Sequence, residues 1–169
     1  KLCDSRFGWQ AVLDLLEQPN VYPNFDLSET DLERVKHWLN DTHMRWGKSA
    51  QHKQQLGLPP LSENTWLQSL ERLLMGYAVG DDQDFVDNVL PYKDLEGSSA
   101  QALGGLCDFI SLLFKANETL TQPITLQDWS GQLYYYADLL FAQISPGERQ
   151  ELNELLADFA EKFNLVHQH

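Results

Sequence analysis

Little in this chain invites a chemical reading. Only two of its 169 residues are cysteine, Cys3 and Cys107, too few for a disulfide framework, so a reducing, cytoplasmic setting is the expectation. No run of ~18 apolar residues occurs, which excludes a membrane-spanning helix. The first residues, with Lys1, Asp4 and Arg6, hold no apolar core, so no secretory leader is expected. Without an initiating Met, the chain reads as a piece of something longer. Cations are scarce: 12 Lys and Arg stand against 25 Asp and Glu, a net charge of −13. That balance opposes nucleic-acid binding by the surface as a whole. Strand-like alternation, internal repeats and low-complexity tracts are all missing.

What the chain does have is core material arranged with helical period. Five Trp, eight Phe and six Tyr, within 43% hydrophobic content, are enough to fill one domain over residues 1–169. Trp9, Val12, Leu13 and Leu16 predict a first short helix, stopped by Pro19. Asp26 and Ser28 are candidate caps for a second, which buries Leu32, Val35, Trp38 and Leu39 and ends near Met44. A short helix is expected over 49–56. Trp66, Leu70, Leu73, Leu74 and Tyr77 form the stripe of the next, closed by Gly80. Residues 81–97 are less regular, with one helical turn around Phe85 and Val86 and an extended Leu90-Pro91-Tyr92. Leu103, Leu106, Cys107, Ile110, Leu113 and Phe114 mark a long helix. Thr125 caps another, which carries Trp129, Leu133, Tyr136 and Leu140. Ser145-Pro146-Gly147-Glu148 starts the last, with Leu152, Leu155, Leu156, Phe159 and Phe163 behind it. The expectation is an all-α compact bundle of about six or seven helices.

Charge is unevenly spread. Residues 34–53 carry Arg34, Lys36, Arg45, Lys48 and Lys53 against Asp41 alone, a net of +4, inside an otherwise acidic body. This strip is either a solvated helix end and loop or a contact to a phosphate backbone; Arg45, Lys48 and Lys53 are the candidate DNA contacts. Gly47-Lys48-Ser49 imitates the tail of a phosphate-binding loop. Such a loop needs glycine where Thr42 stands and a buried strand before it. Here an amphipathic helix precedes it, and a helix C-terminus with basic residues near its negative end fits better.

His37 and His43 are six apart, on different helix faces, and His52 brings no acidic or Cys cluster, so no metal site is expected. His167 and His169 sit at the far end of the chain. Asp81, Asp82, Asp84 and Asp87 lack the glycine and glutamate of a helix-loop-helix calcium site and read as a solvated acidic loop. The two Asn-X-Thr sequons, at Asn40 and Asn117, carry no meaning in a bacterial cytosol. Tyr134-Tyr135-Tyr136 points three ways round a helix: Tyr136 belongs to the core stripe, and an exposed neighbour either packs at a rim or stacks on a base or partner. No nucleophile sits in a recognisable elbow, so no catalytic residue is assigned.

Several blocks, in order, carry a family likeness. They are Ser5-Arg6-Phe7, residues 12–16, Asp31-Leu32, Trp38, Arg45-Trp46-Gly47, residues 56–59, Thr65-Trp66, residues 70–80, Leu90-Pro91-Tyr92 and Glu96-Gly97. To about Phe141 the chain resembles an internal segment of the RecC family, the gamma subunit of exodeoxyribonuclease V; the last helix is similar in character only. The resemblance implies a protein similar to a superfamily 1 helicase without ATPase motifs, carrying a nuclease-like domain without a working site. It also implies assembly with the other RecBCD subunits, passage of separated DNA strands and a part in Chi recognition. This segment looks like the helical insertion, subdomain 2B, of the second helicase-like half, without the strand-splitting pin or the Chi-reading residues. Its expected role is non-catalytic scaffolding and DNA handling in double-strand break repair, with no cofactor, nucleotide or membrane; the rival is a pure protein–protein docking module. Gly47-Lys48-Ser49 departs from the family pattern.

Overall fold

Five of the seven described helices start on a hydroxyl side-chain cap. A computed structural model of the chain describes residues 6–80, 85–86, 89–93, 95, 99–123, 125–141 and 143–166. Helix α1 is Trp9–Leu16, followed by a 3-10 turn, Tyr22–Phe25. Helix α2, Glu29–Asp41, opens on a reciprocal cap: the Asp31 amide donates to Ser28 Oγ (3.3 Å) and the Ser28 amide to the Asp31 carboxylate (3.0 Å). Ser49 caps α3, Ala50–Gln55, and Thr65 caps α4, Trp66–Val79. Helix α5 is Ala100–Leu120; Thr125 caps α6, Leu126–Leu140. In α7, Pro146–Val166, the Ser145 hydroxyl and Glu148 carboxylate repeat the reciprocal cap. Among the described residues there is no strand; Val86 and Val89 form one isolated bridge. No described helix is long and apolar enough to cross a membrane.

Helix α5 is the hub, packing on α2, α4, α6 and the 3-10 turn, while α7 packs on α6. Its Leu103, Leu106, Phe109, Ile110 and Leu113 are buried against Leu32, Val35, Trp38 and Leu39 of α2 and Val12, Leu13 and Leu16 of α1 within one apolar core. Each such side chain contributes roughly 1.5–3 kcal/mol relative to exposure, so this periodic set rather than helix propensity holds the bundle. Cys107 is partly buried against the same core.

The bounds differ from the sequence expectation in three places, each with a local cause. Helix α2 ends at Asp41, not near Met44: Thr42 Oγ1 donates back to the Trp38 carbonyl (2.7 Å), and His43 turns left-handed (φ 58°). Asp26 does not cap α2 but closes the 3-10 turn in a left-handed conformation (φ 55°). In α4 the buried line is Trp66, Ser69, Leu73 and Gly76, leaving Leu74 and Tyr77 47% and 50% exposed. Two anchors rotate the helix. The Trp66 indole N–H donates to the Phe7 carbonyl (2.9 Å). The Tyr92 backbone presses on Gly76 so closely that a Cβ there would lie 1.9 Å from the Tyr92 oxygen. Asp81, Asp82, Asp84 and Asp87, His167 and His169, and most of the turn expected around Phe85 lie outside the described residues.

Candidate functional site

The linker from Thr42 to Ser49 joins α2 to α3 and carries the candidate contacts. Its backbone donors from Thr42 to Lys48 are directed into the protein. The Met44 amide donates to the Leu39 carbonyl (2.9 Å), those of Arg45 and Trp46 to the Asn64 carbonyl (3.1 and 3.2 Å), and that of Gly47 to the Arg6 carbonyl (2.7 Å). The Lys48 amide donates to His52 Nδ1 (3.2 Å). A phosphate cradle needs successive amides aimed at one empty point; here five in a row have protein acceptors. The linker carbonyls work equally hard. Gly47 and Lys48 accept from the Trp66 and Leu67 amides (3.0 Å each), which are the first orphan donors of α4, and Arg45 accepts from Trp9 (3.1 Å). Gly47 stands at φ 90°, a conformation that L side chains adopt with strain. The linker is thus a splice joining the N-terminal segment, α1, α3 and the start of α4.

Its three cations have different surroundings and do not share one solvent-facing strip. Lys53 is 8% exposed; its ammonium donates to the Glu63 carbonyl (2.6 Å) and lies 5.0 Å from the Trp46 ring centroid, with Arg6 also over that ring at 5.6 Å. Lys48 is half-buried, donating to Asn117 Oδ1 (2.7 Å) and sitting 5.4 and 5.6 Å from the rings of Phe7 and Phe114. Such desolvated cation–ring contacts are worth about 0.5–2 kcal/mol. Arg45 alone is exposed, its guanidinium donating only locally, to the Met44 carbonyl (3.1 Å). Phe7, Phe114 and Asn117 come from distant segments, and no spacing in the sequence announces them. A signal for Lys53 exists in Trp46 and Gly47, a flat ring beside a residue without a side chain, but α3 is too short to show which way its lysine points.

Electrostatics follow the packing. Burial, and then the Lys48 cation, push the His52 pKa below its usual value. Its Nδ1 accepts from an amide, so the ring is held neutral. Burial raises the Asp31 carboxyl, but hydrogen bonds from the Ser28 side chain and backbone and the Arg34 charge outweigh it and leave the group below its ordinary value. Burial and Asp108 push the Cys107 thiol up, which makes it less reactive.

His37 meets Asp41 (3.1 Å), which also accepts from the Tyr92 hydroxyl (2.9 Å). Tyr136 is buried, its hydroxyl within 2.8 Å of Thr119 Oγ1, while Tyr135 is 51% exposed. Among the described residues no group of three or more His, Cys, Asp or Glu side chains is placed to hold a metal ion.

A family model described as RecBCD enzyme subunit RecC fourth domain matches residues 1–168. The chain belongs to the RecC family. It is 34% identical over 128 residues to the RecBCD enzyme subunit RecC of Escherichia coli (strain K12), covering 76% of this chain and 11% of that one. Against the RecC of Buchnera aphidicola subsp. Acyrthosiphon pisum it is 33% identical over 139 residues, 82% of this chain and 13% of that one. Against the RecC of Haemophilus influenzae it is 27% identical over 169 residues, 100% of this chain and 14% of that one. The chain therefore spans between 11% and 14% of the length of these RecC relatives.

Proposed function

We propose that this chain serves as a non-catalytic helical lobe of a RecC subunit, working in the cytoplasm within a RecBCD helicase and nuclease that processes DNA double-strand breaks. Its role is to hold the subunit's architecture and to border the path of DNA, as the helical insertion, subdomain 2B, of the second helicase-like half. The observation that carries this reading is the match to a RecC domain along 1–168. The linker supports it from the inside. The amides from Met44 to Lys48 and the ammonium groups of Lys48 and Lys53 have partners within the protein, so this segment serves architecture rather than nucleotide binding or catalysis.

Of the candidates Arg45, Lys48 and Lys53, the DNA-facing part of the proposal rests on Arg45, whose side chain is exposed, because the ammonium groups of both lysines are engaged within the protein. Such contact would position DNA without reading bases. Fluorescence anisotropy with duplex and single-stranded DNA over a salt series tests it. Saturable binding that weakens with salt and drops on Arg45→Ala is expected; no binding at low salt ends this part of the reading. A docking module without DNA contact is the second reading, favoured by the exposed Tyr135 and Leu155 of α6 and α7 (51% and 68%). Concentration-dependent self-association without DNA affinity would select it.

A further inference from the structure

Helix α4 is apolar on two sides. Its inner line, with Trp66 and Leu73, is part of the core. Its outer line runs Leu67, Leu70, Leu74, Tyr77, with steps of three, four and three. Leu70 is half-buried, while Leu67, Leu74 and Tyr77 are 48%, 47% and 50% exposed. That spacing is the seam by which one helix packs on another at about 20°, and a helix apolar on both sides belongs in the interior of a larger protein. Glu71 lies beside the seam. On its far side the exposed Phe85 and Leu90 share a recess with Glu71 and Arg72. At the helix start, Leu67 borders a groove with Phe114 of α5.

We infer that this outer face of α4 is a second packing face, covered in a full-length subunit by an amphipathic helix from another part of the same RecC polypeptide. Length argues for that source: the lobe spans only 11–14% of its RecC relatives, so the rest of the polypeptide is tethered beside it at high effective concentration. Charge argues against a second copy of the lobe, because each carries a net −13 and two such bodies repel. It also defines the occupant, a helix with leucine-sized residues at the seam and Lys or Arg opposite Glu71. The inference is independent of DNA contact and stands if Arg45 touches none.

The test replaces Tyr77 by the photo-crosslinking residue p-benzoylphenylalanine in a full-length RecC subunit that carries this lobe, with the products mapped by mass spectrometry. Tyr77 is half-exposed and the replacement close in shape, so folding is preserved. The expected result is a crosslink to a helix of the same polypeptide outside the lobe, with Lys or Arg beside the attachment point. Crosslinks to another subunit or to a second RecC copy, or none to protein, overturn the inference.

Discussion

His52 couples the linker to pH. Its neutral ring accepts the Lys48 amide through Nδ1 and stands edge-on to Phe7, with ring centroids 5.9 Å apart. Protonation removes that acceptor and adds a second charge beside Lys48. Because its folded pKa lies below the usual 6.5, the unfolded chain binds more protons through the window just below that value, and stability falls as pH drops through it. The urea midpoint is therefore expected to be lower at pH 5.5 than at pH 7.5. His52→Asn, whose side-chain oxygen accepts the same bond, should flatten the difference; an unchanged slope in that variant would assign it to another group. Asp31 and Glu148, both held below the ordinary carboxyl range by hydrogen bonds from Ser28 and Ser145 respectively, lose their contribution only at more acid pH, as it falls through their depressed values.

Lys53 separates a structural cation from a surface one. Lys53→Met keeps the apolar stem over Gly47 and Trp46 but leaves the Glu63 carbonyl without its donor, a loss of about 1–3 kcal/mol. Arg45→Ala, at an exposed site, should stay within about 0.5 kcal/mol. Urea denaturation of the two variants checks the contrast, and equal effects would refute the placement of Lys53. Composition alone reads Arg45, Lys48 and Lys53 as one basic strip, because charge counting carries no direction. The partners that turn two of them inward, Asn117, Phe114 and the Glu63 carbonyl, are 10 to 69 residues away.

At the scale of elements, helix starts were the most readable feature. Ser28, Thr125 and Ser145 all cap as their spacing implies, since a cap is settled within four residues; Asp26 does not, and the caps Ser49 and Thr65 lack an acidic partner three residues on that would have marked them. The rotation of α4 was not readable, because apolar residues cover both sides of it and the deciding contact comes from Tyr92. That segment is strapped on by the Tyr92 amide to the Arg72 carbonyl (2.9 Å) and the Arg72 guanidinium to the Leu90 carbonyl (3.0 Å). Gly76→Ala should force the strap off, costing about 1–3 kcal/mol as an overpacked contact and exposing residues 85–95 to proteolysis. A variant as stable and protease-resistant as the parent would show that Tyr92 does not lie there.

At the scale of the whole molecule, the all-helical class followed from a 3.6-residue apolar period, while the identity of the lobe followed from ordered blocks such as Arg45-Trp46-Gly47 and Leu90-Pro91-Tyr92. Both blocks sit at splices. The first supplies the Gly47 carbonyl to the Trp66 amide at the start of α4 and the Arg45 carbonyl to Trp9 of α1, and the second holds the side of α4 and reaches Asp41 of α2. These two blocks thus fix how helices meet, which is what the proposed scaffolding role asks of them.

The most direct test replaces this lobe by a short Gly-Ser linker in a full-length RecC subunit and measures ATP-dependent DNA unwinding together with subunit stoichiometry. The account predicts loss of stable assembly and, with it, of unwinding, whereas the parent subunit supports both. A complex that assembles and unwinds DNA at the normal rate without the lobe would contradict it.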